Sequence, residues 1–144
     1  MGDVNPFFWS GVVPPKVDLF IWMLAKGRVL VGDLLPKFTG GLIKRQLCPF
    51  CMKTVESIKH LFLSCYWSWV LWSNCMDWWG ISACIPADMR MWMDGWMLLC
   101  PAASSGRVWK VAFHAIYWTI WENRNDVVFN HGKADSVKAV EMVW

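Results

Sequence analysis

Three cysteines and one histidine, all within residues 48–65, constrain this chain more than any other feature of its sequence. Cys48 and Cys51 enclose two residues. His60 follows after eight more residues and Cys65 after a further four. Three thiolates and one imidazole form a complete tetrahedral ligand set for Zn²⁺, and a set of four protein ligands leaves no position for a reactive water. The spacing therefore predicts one structural zinc ion per chain and disfavours a hydrolytic metal centre.

The residues around these ligands predict a tight turn followed by a short helix. Pro49 and Phe50 lie between the first two cysteines and bring both sulfurs to one side of the turn. We expect Thr54 to cap the helix that follows. Glu56 would then lie in the first helical turn, where the helix dipole favours a negative charge.

The separation of five residues between His60 and Cys65 sets a condition on this helix. A continuous α-helix would place the two side chains about 140° apart around its axis. We therefore expect the helix to end near Ser64, so that Cys65 swings back toward the metal. The alternative is a group of buried cysteines with one surface histidine, because free cysteine is a common core residue.

Three longer segments add to this motif. Residues 9–28 contain Trp, Val-Pro-Pro-Lys-Val, Phe-x-Trp and Gly-Arg. Residues 55–72 contain Val-Glu-Ser-Ile-Lys-His-Leu-Phe-Leu-Ser-Cys and Trp-Val-Leu-Trp, and residues 120–129 contain Ile-Trp-Glu-Asn-Arg-Asn and a phenylalanine. With the Cys-Pro-Phe-Cys turn, they resemble the zinc-binding domain of plant non-LTR (LINE-type) retrotransposon reverse transcriptases. One departure is Val31-Gly32-Asp33, where that family usually has threonine and a polar residue.

The resemblance implies a structural-zinc, nucleic-acid-binding domain of retrotransposon origin, without the catalytic domains that accompany it in those polyproteins. The domain would span residues 9–129, with a zinc module at residues 45–66, and residues 130–144 would form a truncated C-terminal helix. The implied partners are RNA or single-stranded DNA. The alternative is a protein-interaction module that uses exposed tryptophans to dock a reverse transcriptase or another protein domain.

Apolar residues recur at helical spacing along the chain, and no segment alternates as a β-strand does. We therefore expect a small, irregular all-α domain with the zinc module embedded in it. Short connections rich in glycine, proline or serine separate the expected helices. The expected helices run from 15 to a stop at Gly27, 33–38, from about 66 to a stop at Gly80, 87–99, 107–129 and 134–144.

Thirteen tryptophans and a hydrophobic content of 56% are unusual for a single small domain. At helical spacing these rings are expected mainly in the core, although they could also form a stacking surface for unpaired bases. Cys75, Cys84 and Cys100 have no ligand-like neighbours and are also expected in the core.

The first ten residues show neither a basic start nor a long apolar run, so we expect no secretory signal. The longest apolar stretch, residues 108–121, contains Lys110 and His114 and is too short to span a bilayer. Three of the six cysteines belong to the metal pattern, which favours a reducing compartment. These points predict an intracellular protein, nuclear or cytoplasmic, without a membrane partner.

Positive charge is concentrated around the zinc module. Residues 1–60 carry eight Lys and Arg against four Asp and Glu, and the remainder carries six against seven. Such an excess suits phosphate contacts, although an ordinary solvated face would look the same. The candidate nucleic-acid-binding residues are Lys44, Arg45, Lys53, Lys59 and Phe50. We expect the four cations to converge on one face, while Phe50 either stacks on an unpaired base or packs against Phe62.

The chain has no P-loop, no nucleophile elbow and no paired aspartates for two-metal chemistry, so no enzymatic activity is expected. His114 is expected in the core or a groove, and His131 at a helix end. Trp121 is expected to be buried. Arg124 is expected to contact a carboxylate or a helix-end carbonyl, the alternative being that it faces solvent to meet phosphate.

Overall fold

The computed structural model describes residues 11–32, 35–42, 44–86, 88–102, 104–130, 132–133 and 135–143. Over these ranges the chain is helical and contains no β-strand, which confirms the all-α prediction. An isolated antiparallel bridge joins Leu47 and Val55. The helices are α1 (Pro15–Ala25), α2 (Leu35–Phe38), the π-helix π1 (His60–Ser64), α3 (Tyr66–Trp78), α4 (Met89–Leu98), α5 (Gly106–Asn130) and α6 (Ser136–Val143). Predictions that concern Trp9, Asp33, Ala87, His131, Ala134 and Trp144 fall outside the described residues.

Helix ends lie close to the predicted positions because local side chains cap them. Pro15 occupies the first turn of α1, and Gly27 follows that helix with a φ of 65°. The Asp88 carboxylate accepts hydrogen bonds from the first turn of α4 at 2.7 and 3.2 Å. Ser105 caps α5 as predicted, and Asp135 caps α6.

The centre of the core is a cluster of aromatic rings between α3, α4 and α5. Trp96 and Trp109 stack with ring centroids 4.1 Å apart, and each indole N–H donates to the backbone carbonyl of the other residue. Trp72 packs against Trp92 and donates its indole N–H to the Phe62 carbonyl at 2.8 Å. These bonds satisfy the indole groups that burial would otherwise leave without partners.

Most tryptophans therefore lie in or against the core, as predicted. Among the tryptophans that the structure describes, two on α3 are exceptions, since Trp69 is 48% exposed and Trp78 is 73% exposed. The core prediction also holds for Cys75 but is wrong for Cys84, which is exposed, and Cys100 is only half-buried. Cys84 lies between α3 and α4, where no helical face turns it inward.

Helix α5 is the element on which much of the fold assembles, since α1, α3, α4, α6 and π1 all pack against it. The C-terminal helix α6 also packs against α3, and its Ala139 is completely buried. In the described part of the chain, no helix combines the length and the apolar character that crossing a bilayer requires.

Candidate metal centre

The first two candidate ligands lie in a turn that a short hairpin closes. The Cys48 N–H donates to the Thr54 carbonyl at 2.7 Å, and the Met52 N–H donates to the Cys48 carbonyl at 2.8 Å. Met52 has a φ of 54°, a left-handed conformation that costs a residue with a Cβ about 1–2 kcal/mol. The surrounding hydrogen bonds hold this strain, and they fix the positions of both cysteines.

The other two candidate ligands are the ends of one π-helical turn. The Cys65 N–H donates to the His60 carbonyl at 2.7 Å, a bond that spans five residues and brings Cys65 back over His60. Cys65 then takes extended dihedral angles and precedes α3. The predicted end of the helix at Ser64 is confirmed. The π-turn brings His60 and Cys65 to the same side of the helix although they are five residues apart.

The predicted start of this helix is wrong. Ser57 caps it, since its hydroxyl accepts the His60 N–H at 3.0 Å and its carbonyl accepts the Leu61 N–H at 2.8 Å. Thr54 instead lies in the hairpin that closes the cysteine turn. Glu56 therefore precedes the helix, and its carboxylate is not placed by the helix dipole.

The four candidate ligand atoms form one compact group. All of them lie within 4.8 Å of one another, with 4.0 Å between the sulfurs of Cys48 and Cys65 and 3.3 Å between the Cys51 sulfur and His60 Nε2. Zn–S bonds of about 2.3 Å and Zn–N bonds of about 2.0 Å give tetrahedron edges of roughly 3.5–3.8 Å. The donor set and its spacing therefore fit a zinc ion.

Hydrogen bonding between the thiols biases their protonation. The Cys48 thiol donates to the Cys65 sulfur, and this bond together with burial raises the pKa of Cys48 well above its usual range. The same bond lowers the pKa of Cys65. A metal would take all three sulfurs as thiolates, so its binding would release the thiol protons.

A buried ion pair fastens the zinc module to α5. Arg124 donates to both Glu56 carboxylate oxygens at 2.8 Å, and the Gly32 N–H donates to the same carboxylate at 2.7 Å. The prediction of a fixed carboxylate contact for Arg124 is confirmed. Trp121 was predicted to be buried but is only half-buried, with the Arg124 guanidinium 5.1 Å from its ring.

The sequence analysis missed a second buried pair, between α1 and α5. His114 is fully buried, as a core position predicts, and its Nδ1 donates to the Lys110 carbonyl at 2.8 Å. Its Nε2 faces Asp18 at 3.6 Å, and Asp18 is itself only 3% exposed. The available clue was an aspartate three residues before Ile21, on the apolar face of α1.

The candidate nucleic-acid residues have mixed positions. Lys44, Arg45, Lys53 and Lys59 are all exposed. Lys53 lines a cavity beside Phe50, whereas Lys59 lines a different cavity against α4, so convergence on one face stays a prediction. Phe50 is half-buried and stacks on Trp67, with ring centroids 4.0 Å apart. The alternative contact with Phe62 is therefore wrong, because the ring of Trp67 takes its place.

Comparisons with known proteins agree with the metal centre. The family described as "zinc-binding in reverse transcriptase" matches residues 2–72, which include all four candidate ligands and end within α3. No curated protein and no solved structure gave a match. The segment 2–72 is thus similar to the zinc-binding domain of reverse transcriptases, and residues 48–65 within it bring together a Cys-Cys-His-Cys group that could hold a metal.

Proposed function

We propose that the chain is a non-catalytic, nucleic-acid-binding domain with a structural zinc, descended from a plant LINE-type retrotransposon reverse transcriptase. The observation that carries the proposal is the closed set of four ligand atoms within the family-matched segment. Four protein ligands leave no coordination position for a substrate or a water. The role left to the metal is to hold the cysteine turn and π1 together.

The exposed cations support the choice of nucleic acid as the partner. Lys44 and Arg45 precede the cysteine turn, Lys53 follows it and Lys59 adjoins π1, so a metal at the site would fix the spacing of their backbone segments. Lys and Arg contacts with phosphate release counterions, and the resulting affinity falls steeply with added salt. We expect micromolar, sequence-tolerant binding to single-stranded RNA or DNA.

The test has a metal step and a binding step. Elemental analysis of the purified protein should give one zinc per chain, and its absence refutes the structural-zinc half. For binding, the Lys44/Arg45/Lys53/Lys59→Ala variant should keep zinc and lose most of its affinity for a labelled single strand. The control removes four other exposed cations, Lys26, Lys37, Arg107 and Lys138, and leaves the net charge equal to that of the test variant. Equal affinities of the two variants would refute the assignment of the phosphate contacts.

A protein-interaction role is the second candidate, and exposed aromatic rings favour it. Trp69 and Trp78 on α3 are both exposed. The affinity of apolar docking would not depend on salt, whereas an affinity that arises from counterion release would fall as salt is added. If the wild type does not bind nucleic acid, or if its affinity does not change across a salt titration, this second role is favoured.

A further inference from the structure

The strongest further feature is an exposed aromatic surface at the start of α3, immediately after the last zinc ligand. Tyr66 is 75% exposed and stacks on Trp69 with ring centroids 6.0 Å apart and an interplanar angle of 23°. The two residues lie one helical turn apart, so their side chains share one face of α3. Neighbouring exposed aromatic rings of this kind are typical of interaction surfaces.

A cavity of about 330 Å³ adjoins this surface. Its lining residues include Phe50, Lys53, Tyr66 and Trp67. The size lies at the small end of the range found for ligand cavities. One wall is the stacked pair of Phe50 and Trp67, another is the exposed Tyr66 ring, and Lys53 adds a positive charge. Flat aromatic walls next to a cation suit a planar ring that is attached to a phosphate.

We propose that Tyr66 and Trp69, together with the Phe50–Lys53 cavity, form a base-stacking site for unpaired nucleotides of a single strand. The inference rests on the proposed nucleic-acid-binding function and names the bases, in addition to phosphates, as what the domain contacts. Stacking on aromatic rings is tolerant of sequence because every base has a π-face. A base paired within a duplex cannot reach such a surface, so the site selects single strands.

The position beside the metal couples the site to zinc. Cys65 is both a candidate ligand and the residue that precedes α3, so the metal fixes the start of the helix that carries Tyr66. Cys51 and Cys65 also line the cavity. Zinc would therefore orient the stacking surface without touching the nucleotide. Within this site the Phe50 ring supports the cavity wall through its stack on Trp67, and Tyr66 offers the more exposed face.

The experiment compares the zinc-loaded wild type with Tyr66→Ala and Tyr66→Ala/Trp69→Ala, measured by fluorescence anisotropy with a labelled oligouridylate and with a duplex. One base stack lost should weaken single-strand binding about tenfold. The dependence of affinity on salt should not change, because no phosphate contact is removed. Tyr66→Phe should restore wild-type affinity. Trp78→Ala is the control, since this exposed tryptophan lies near the other end of α3, about 18 Å along the helix.

The outcomes separate this inference from the proposed function. If the wild type binds the single strand and only the basic variant loses affinity, the stacking site is refuted and the proposed function stands. Equal wild-type affinity for duplex and single strand would also refute stacking. If the wild type binds neither, the proposed function fails and the inference fails with it. Cross-linking of 4-thiouridine RNA, located by mass spectrometry at residues 50–69, would support the site, whereas cross-links only elsewhere would overturn it.

Discussion

Replacing Arg124 with methionine should unfold the protein at a markedly lower temperature, because it leaves a carboxylate buried without a counter-charge. Glu56 is 1% exposed, and its three short hydrogen bonds come from Arg124 twice and from Gly32 once. Arg124→Met removes two of these bonds and the only positive charge that the structure shows within salt-bridge distance of Glu56 among the described residues.

The expected cost follows from that burial. Removing one partner of a buried ion pair typically costs about 3–5 kcal/mol. For a chain of this size each kcal/mol lowers the melting temperature by roughly 3 °C, so the total shift should be about 9–15 °C. The loss of the guanidinium over Trp121 is a smaller effect, on the order of 0.5–1 kcal/mol.

Thermal unfolding of the zinc-loaded proteins, followed by circular dichroism, measures this shift. Arg107→Met is the matched control, because Arg107 is exposed on the first turn of the same helix. Its removal should change stability by less than about 0.5 kcal/mol. The Glu56→Gln/Arg124→Met double variant should be more stable than Arg124→Met, since a neutral amide keeps the Gly32 bond without a buried charge. The reasoning is refuted if Arg124→Met has the same melting temperature as the Arg107→Met control while its affinity for RNA falls. That result would mean that Arg124 contacts phosphate.

Four other outcomes are expected. Cys48→Ser should abolish stoichiometric zinc and unfold at least residues 45–66, as metal analysis and hydrogen exchange would show; full zinc content in this variant would contradict the site. Burial raises the pKa of Cys75 from 9.0 to about 12, so the stability it contributes below pH 9 should be lost as pH rises toward 12, and Cys75→Ala should flatten that decline. In alkylation followed by mass spectrometry, Cys84 should react at once while Cys75 is protected. Highly purified protein should show neither primer extension nor nuclease activity. An activity that persists through purification and is lost on a point mutation in this chain would contradict this expectation.

The sequence was sufficient to identify the candidate ligand group and most helix ends, because both depend on local spacing. Candidate metal ligands can be recognised from the chemistry and spacing of their side chains, and helix caps such as Ser105 depend on residues within one turn. The five-residue gap between His60 and Cys65 even required the helix to end at Ser64, although it did not reveal the π-turn. Local rules therefore predict where the elements are.

Contacts between distant parts of the chain were harder to predict from the sequence. Thr54 and Ser57 are both acceptable caps, and the choice between them depends on Glu56 being drawn into the core by Arg124, which lies 68 residues away. Phe50 could be placed at the turn, but its partner Trp67 depends on how π1 directs α3. Sequence spacing specifies periodicity, and neither of these tertiary choices is periodic.

The family-matched segment 2–72 does not contain its own complete core. Phe62 contacts Tyr117, and Trp72 packs against Trp92 and Phe113, all of which lie beyond the match. Glu56 likewise obtains its counter-charge from α5. A metal at the Cys-Cys-His-Cys group would close only the short loop between residues 48 and 65, whereas burial of these large rings requires the C-terminal helices. Residues 45–66 and helices α3–α5 therefore share one apolar core, which the family-matched segment does not complete by itself.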